Sequence, residues 1–440
     1  MEAKVKIKFI ENEEVFLAKR FGYSFKLSDR KWQLDKEICV CPHKVVERMP
    51  ELMRLGYLKT LAYYASEYSP GYIKNINSLF HKWFEIVSIN TIDDKAVYQF
   101  DFYLGPDKNY KLNTIKSFII KWKKFKYPGV ETTALRVMET IKITPNQTGE
   151  AVKRRDPNRG PLTETELNTI LVSVSKLYQE KKIDSYLYCY IMLLVKTGRR
   201  PLQLTSLKAK DLIQKEEGYF LNIPRVKQGK DFRKEFNMIM IDSVLYENLL
   251  ILINENQAFA EDKFGVDISH LKKELPIFMD FEKMVEIKTI ASFSSYLTMD
   301  YLHMKNSFIS RKLKRFPVEF NVLSERTNCY LELNARRFRY TLGSRMANEG
   351  ASIEVIAKAL DHKSINSSGI YIKNSPDNVP DIDNRLHSFF APLAKIFMGE
   401  ESVESKKSFI NYILSSYGLT DDKNDGIKCL TCKNFNPWSA

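Results

Sequence analysis

Apolar residues recur at three- and four-residue spacing along most of this chain, which is the period of helices burying one face. In the first third the pattern predicts four helices. One carries Leu52, Leu55, Leu58, Leu61 and Ala62, and the others cover residues 72–86, 95–103 and 112–125. Ahead of them, residues 5–10 and 15–18 read as short strands. The period then stops. From Pro145 to Pro161 the chain is rich in Pro, Gly and polar residues and carries the basic cluster Lys153-Arg154-Arg155, which reads as a linker. Thr163 with Glu166 three residues on has the form of a capping box and opens a second domain.

In that domain residues 184–196 are strongly apolar, with Leu187, Ile191, Leu194 and Val195 expected in the core. This helix stops at Thr197-Gly198, and Pro201 suits the first position of another. Residues 219–224 and 236–241 switch to strand character and flank a turn at Gly229. Residues 254–328 suggest added helices, with a periodic stretch at 299–313. A helical pattern runs from Leu333 to Gly350. Ser352 then caps a helix reaching Leu360, with Ile353, Ile356, Ala357 and Leu360 on its apolar face. Residues 364–369 are small and polar, as in a mobile tether, and Tyr371 rides on them. Two more helices are expected at 386–398 and 408–417. The fold class that follows is mainly α with a small antiparallel β-sheet. It divides into an extension (1–44), a helical domain (45–145), a basic linker (146–162), an α+β domain (163–380) and a helical tail (381–440).

Composition adds a charge bias. Sixty-eight Lys and Arg against 54 Asp and Glu leave a net charge of +14, which favours a polyanionic partner but is also compatible with a merely solvated basic surface. Lys111, Lys116, Lys121, Lys123, Lys124 and Lys126 crowd the fourth helix between Phe118, Trp122 and Phe125. Six cysteines make no disulfide framework in 440 residues, and the first residues lack the apolar core of a signal peptide. No apolar run approaches the ~20 residues of a membrane span. A soluble, cytoplasmic protein is expected. Cys39 and Cys41 are too close for a usual zinc knuckle and read as buried thiols in a turn. Cys429 and Cys432 have the spacing of half a zinc site with no second pair after them, so reduced thiols remain the alternative.

The chemistry-bearing residues lie in the second domain. Arg336 and Arg339 are three apart, so on a helix they share a face and can converge on one anion, and a guanidinium fork fits the paired oxygens of a phosphate. Arg200 sits at a helix start, where free backbone N–H groups also attract anions. His362 follows a helix end, and Tyr371 comes nine residues later.

Taken together, these boxes resemble the tyrosine recombinase (phage integrase) family. Thr197-Gly198-Arg199-Arg200-Pro201-Leu202-Gln203-Leu204 is similar to the family's Thr-Gly-x-Arg-x-x-Glu-Leu, Arg339 stands at the arginine of His-x-x-Arg, and Leu360-Asp361-His362 stands for Leu-Gly-His. Gln203 replaces the usual glutamate, and Arg336 replaces a histidine. The resemblance implies that Tyr371 attacks a DNA phosphodiester to form a 3′-phosphotyrosine link with a free 5′-hydroxyl. Arg200 and Arg339 would hold the phosphate, Lys227 at the turn would protonate the leaving oxygen, and His362 would donate to the phosphate or shuttle a proton. Lys230 competes with Lys227 for its role. Arg336 would add a third phosphate contact. No metal, cofactor or ATP is implied. The helical domain would be a core-binding domain clamping double-stranded DNA. The expected assembly is a homo-tetramer on DNA through the C-terminal tail, with accessory recombination proteins as further partners. Two other readings fit the departures: a nonenzymatic DNA-binding protein that keeps the fold, and a relaxing topoisomerase using the same tyrosine chemistry.

Overall fold

A computed structural model describes residues 14–145, 149–226 and 232–372. The expected strand at 5–10, Lys227 and Lys230, the helices at 386–398 and 408–417, and Cys429 and Cys432 lie outside the described residues. The chain divides into two compact units, residues 1–148 and 149–440.

The first unit begins with two small antiparallel hairpins, β1 (Val15–Leu17) with β2 (Ser24–Lys26) and β3 (Trp32–Gln33) with β4 (Cys39–Val40). Cys39 thus lies in a strand, and it and Cys41 are half-buried rather than enclosed in a turn. Six helices follow: α1 (His43–Val46), α2 (Glu51–Glu67), α3 (Pro70–Ile86), α4 (Asp94–Leu104), α5 (Leu112–Lys124) and α6 (Thr132–Thr140). Their core is aromatic. Phe80 and Phe118 pack with ring centroids 4.7 Å apart, beside Tyr57 and Trp122. The buried indoles of Trp83 and Trp122 donate to Ala96 O (3.1 Å) and Pro128 O (3.0 Å), so neither leaves an unsatisfied N–H. Helix α6 was not expected. It buries only Ala134 and Met138, too few positions to show a period.

The second unit holds α7 (Glu150–Lys153), α8 (Glu164–Gln179), α9 (Ser185–Thr197), α10 (Pro201–Leu204), the strands β5 (Leu212–Lys215), β6 (Gly218–Pro224) and β7 (Phe236–Ile241), then α11 (Ser243–Phe264), α12 (Phe281–Glu286), α13 (Ile290–Leu297), α14 (Asn306–Glu319), α15 (Ala335–Asn348), α16 (Ile353–Ala359) and α17 (Gly369–Ile372). The strands form one antiparallel sheet in the order β5-β6-β7, with Tyr219 opposite Ile241 and Pro224 opposite Phe236. The fold class is therefore as the hydrophobic pattern predicts, mainly helical with small antiparallel sheets.

Helix α9 is the centre of this unit: Leu187, Tyr190, Ile191, Leu193 and Leu194 are all buried among α8, α11, α14 and α15. Thr163 and Glu166 form the capping box that starts α8. The inserted helices build a small core of their own from Ala260, Leu275, Met284, Phe293 and Leu297. The periodic stretch at 299–313 is not one helix; residues 299–305 run between α13 and α14. Two further differences lie near the site. The stretch read as linker contains α7, whose Val152 is buried beside α15 and α17. Residues 364–369 are a 3-10 turn (Ile365–Ser367) leading into α17 rather than an extended tether, because Tyr371 and Ile370 dock on an apolar surface that holds the segment down. Among the described residues no helix is long and apolar enough to cross a membrane.

Candidate active site

Three helix ends and one hairpin meet beside α15. Helix α9 ends at Gly198, whose φ of +54° favours glycine. A Cβ there would stand 3.1 Å from methyl carbons of Leu342 and Leu360 and 3.3 Å from Arg339 Cα, so glycine also permits the close approach of α9 to α15. Arg339, 8% exposed, donates from Nη1 to Gly198 O (3.0 Å) and from Nη2 to Leu360 O (2.5 Å). Each of those carbonyls ends a helix, where the macrodipole is negative and attracts a cation. Arg200 caps α10, and its Nη1 donates to Asp361 O at 3.1 Å. Both arginines are thereby aimed by the C-terminal carbonyls of α16.

The end of α16 explains how. Asp361 N–H donates to Lys358 O (3.2 Å) and His362 N–H to Ala357 O (2.8 Å), the paired bonds of a Schellman cap, with Asp361 in the left-handed region at φ +52°. This is the position at which the resembling motif has glycine. The cap delivers His362 to the site, and its Nδ1 lies 2.7 Å from Ser368 Oγ. Nε2 remains for a proton or a phosphate oxygen.

Tyr371 is 2% exposed. Its ring lies on Gly343 so closely that a Cβ there would stand 2.7 Å from Tyr371 Cζ. Gly343 is one helical turn after Arg339 and shares its face. The Tyr371 ring is parallel to His362, with centroids 6.5 Å apart. These placements set the electrostatics. Burial lowers Arg339 to about 9, with the charge of Arg200 adding to the effect. Burial lowers Arg200 as well. His362 is brought down to about 3 by burial and then by the Arg339 and Arg200 charges. Burial raises the Tyr371 phenol while Arg339 and Arg200 oppose the rise. At neutral pH the site presents two guanidinium cations, a neutral imidazole and a neutral phenol.

Arg200, Arg339, His362 and Tyr371 are thus brought together. Arg336 is not: it is exposed on α15, with its backbone N–H donating to the Asn334 cap. The arginine buried beside it is Arg337, which donates from Nη2 to Glu166 (3.1 Å), from Nε to Gly160 O (3.0 Å) and from Nη1 to Glu332 O (2.6 Å). Burial alone would raise Glu166, but hydrogen bonds from Arg326 and Ser324 and the Arg337 charge hold its carboxyl below the usual range. Three participants went unread in the sequence: Gly343, Asp361 and Arg225, whose Nε donates to Asp361 Oδ1 at 2.7 Å.

Residues 294–378 match the sequence model of the phage integrase family. That stretch of the chain is similar to the phage integrase family. The matched stretch includes Arg339, His362 and Tyr371, while Arg200 precedes it in sequence. Similar solved structures include the XerH site-specific recombinase bound to a palindromic difH substrate in a post-cleavage complex, at 15% identity over 81% of this chain and 89% of that one, with a TM-score of 0.43. A Tn1549 transposon integrase in complex with transposon right end DNA is 13% identical over 77% of this chain and 98% of that one, with a TM-score of 0.45. A lambda integrase dimer bound to a COC' core site is 14% identical over 76% and 77%, with a TM-score of 0.44. No curated protein matches this chain at a significant level.

Proposed function

We propose that this chain is a site-specific DNA recombinase, the integrase or transposase of a mobile element, and that Tyr371 is its nucleophile. The observation that carries the reading is the convergence of Arg200 and Arg339, each aimed by helix-end carbonyls, on the side where the Tyr371 ring and His362 lie. In the proposed reaction the Tyr371 oxygen bonds to a DNA phosphorus and the bond to the 5′-oxygen breaks, leaving a 3′-phosphotyrosine. The two guanidinium groups hold the non-bridging oxygens; losing one such preorganised donor typically costs ~3 kcal/mol. Lys227 gives a proton to the 5′-oxygen. Neutral His362 can take the phenol proton or donate to the phosphate. A bound phosphate offsets the mutual repulsion of Arg200 and Arg339, so the site is tuned for an anion it does not itself supply. Arg336, exposed on α15, is assigned a contact to DNA outside this cluster.

The domain reading is part of the proposal: residues 45–145 contact the duplex backbone, 163–380 carry the chemistry, and a homo-tetramer on double-stranded DNA uses residues 381–440, with accessory recombination proteins as further partners. The test is covalent trapping on nicked duplexes drawn from the DNA flanking the chain's own coding sequence. A denaturation-resistant protein–DNA band from wild type that vanishes in Tyr371→Phe is expected. DNA bound by wild type without any band supports a nonenzymatic DNA-binding protein instead, and an equal band from Tyr371→Phe assigns the nucleophile elsewhere.

A further inference from the structure

Asp361 occupies a backbone position that suits glycine, yet its side chain is only 1% exposed and lies among the cations of the site. Oδ1 accepts from Arg225 Nε at 2.7 Å, Oδ2 accepts from Gln203 Nε2 at 3.0 Å, and Oδ2 stands 4.0 Å from Nη1 of Arg199. Arg199 is itself 1% exposed, and its Nε and Nη1 have no hydrogen-bond partner among the described residues, so this carboxylate is the anion nearest a buried guanidinium. The Asp361 backbone carbonyl also receives Arg200. A non-glycine residue kept in the left-handed region is a reason to look for what its side chain does.

Gln203 is fully buried. Its Oε1 accepts the Arg200 N–H (3.2 Å), while Nε2 donates to both Pro224 O (3.2 Å) and Asp361 Oδ2. One side of this group must accept and the other must donate, so an amide fits and a carboxylate does not. A glutamate at 203 would set a second carboxylate against Asp361 and against a carbonyl, in a place closed to water.

We infer that Gln203 and Asp361 are an exchanged pair in which Asp361 supplies the buried carboxylate that the resembling motif carries at position 203, and that Asp361 is thereby the positioning residue for Arg200 and for the hairpin stem at Arg225. The two departures from the motif are then one event. The glycine of the one box and the glutamate of the other are replaced together, and the charge beside Arg199 is conserved.

This inference rests on the recombinase reading for its effect on chemistry but not for its effect on folding, and the test separates the two. Asp361→Gly, Gln203→Glu and the double variant are made in the full chain. For each, the thermal midpoint, the affinity for the nicked duplex that traps wild type, and the single-turnover rate of covalent adduct formation are measured. Asp361→Gly relieves the backbone but leaves buried Arg199 without its nearest carboxylate, so it is expected to lower the midpoint, keep the DNA affinity and slow adduct formation about tenfold or more. A merely structural residue would lower the midpoint without slowing adduct formation at a temperature where the variant is folded. Gln203→Glu alone is expected to lower the midpoint at pH 7, with the loss shrinking towards pH 4. Combining it with Asp361→Gly should abolish that loss and restore most of the adduct rate, a coupling that independent sites do not show. Normal adduct formation by Asp361→Gly, or additive midpoint changes in the double variant, would overturn the inference. If wild type traps no duplex, the recombinase reading fails on its own, and the coupling in the midpoints still decides whether the two residues are an exchanged pair.

Discussion

Gly343 shows how much of the site depends on one missing methyl group. The Tyr371 ring occupies the space where a Cβ would lie, 2.7 Å from Cζ, so Gly343→Ala must displace the ring. Alanine is the better helix former by up to ~1 kcal/mol, so the fold itself should not suffer much. The expected outcome is a variant with a near-native thermal midpoint, unchanged DNA binding and an adduct rate reduced by about tenfold or more; an unaltered rate would mean that Tyr371 leaves this pocket to react. His362 makes a second prediction at this scale. Its folded value of about 3 lies below the ~6.5 of an unfolded histidine, so between those values the unfolded chain binds more protons and stability rises with pH. The stabilisation is complete above about pH 6.5 and is lost as pH falls towards 3. Urea denaturation at pH 7 and pH 5 should show wild type losing more stability than His362→Asn between the two conditions. Neither residue's role was legible beforehand in full. The spacing to Tyr371 marks His362, whereas a glycine within a helical pattern signals only that something packs closely, and what packs there comes from 28 residues further along the chain.

At the scale of the element, legibility follows how many apolar positions a segment repeats. Helices α2 to α5 and α9 bury long stripes, and the alternation predicts β6 and β7 within a residue of their observed bounds. Of the hairpins in residues 14–40 only β1 is marked in the sequence, at residues 15–18; β2 to β4 and helix α6 bury too few positions to show a period, and residues 364–369 look like a tether because their order comes from docking, not from their own composition. Helix α15 teaches a subtler point. Three-residue spacing does put Arg336 and Arg339 near one face, but the phase of the helix is set by Phe338, Leu342 and Met346, which point into the core. Arg336 is two residues, about 200° of turn, from Phe338 and so faces outward, while Arg337 and Arg339 flank the buried spine. Arg337 then meets Glu166 of α8, which also receives Nη2 of Arg326 at 2.6 Å. Removing this carboxylate leaves two arginines without their buried counter-ion. Glu166→Ala should therefore cost roughly 3–5 kcal/mol in chemical denaturation, far above an ordinary surface substitution. A loss under about 1 kcal/mol would show that the network is replaceable by water.

For the whole molecule, a net charge of +14 announces attraction to a polyanion but not which cations meet it. Helix α5 illustrates the difference. Lys121 lies 4.1 Å from the Tyr63 ring centroid, and Lys123 Nζ donates to Thr132 Oγ1 at 2.5 Å, so both are engaged within their own unit. Lys124, the last residue of α5, and Lys126 beyond it are exposed. If the unit of residues 1–148 contributes backbone contacts to a duplex, these two belong to the cations that release counterions from it. Each phosphate contact contributes about 0.9 to the slope of log affinity against log salt. Lys124→Gln combined with Lys126→Gln should lower that slope by roughly two units and weaken specific and nonspecific duplexes alike, because phosphates carry no sequence information. Fluorescence anisotropy across a salt series measures both effects in one titration. An unchanged slope would assign the duplex to another face of this unit or to residues 149–440 alone, and a loss confined to one duplex sequence would mean that these lysines read bases, which their compact ammonium groups are poorly shaped to do.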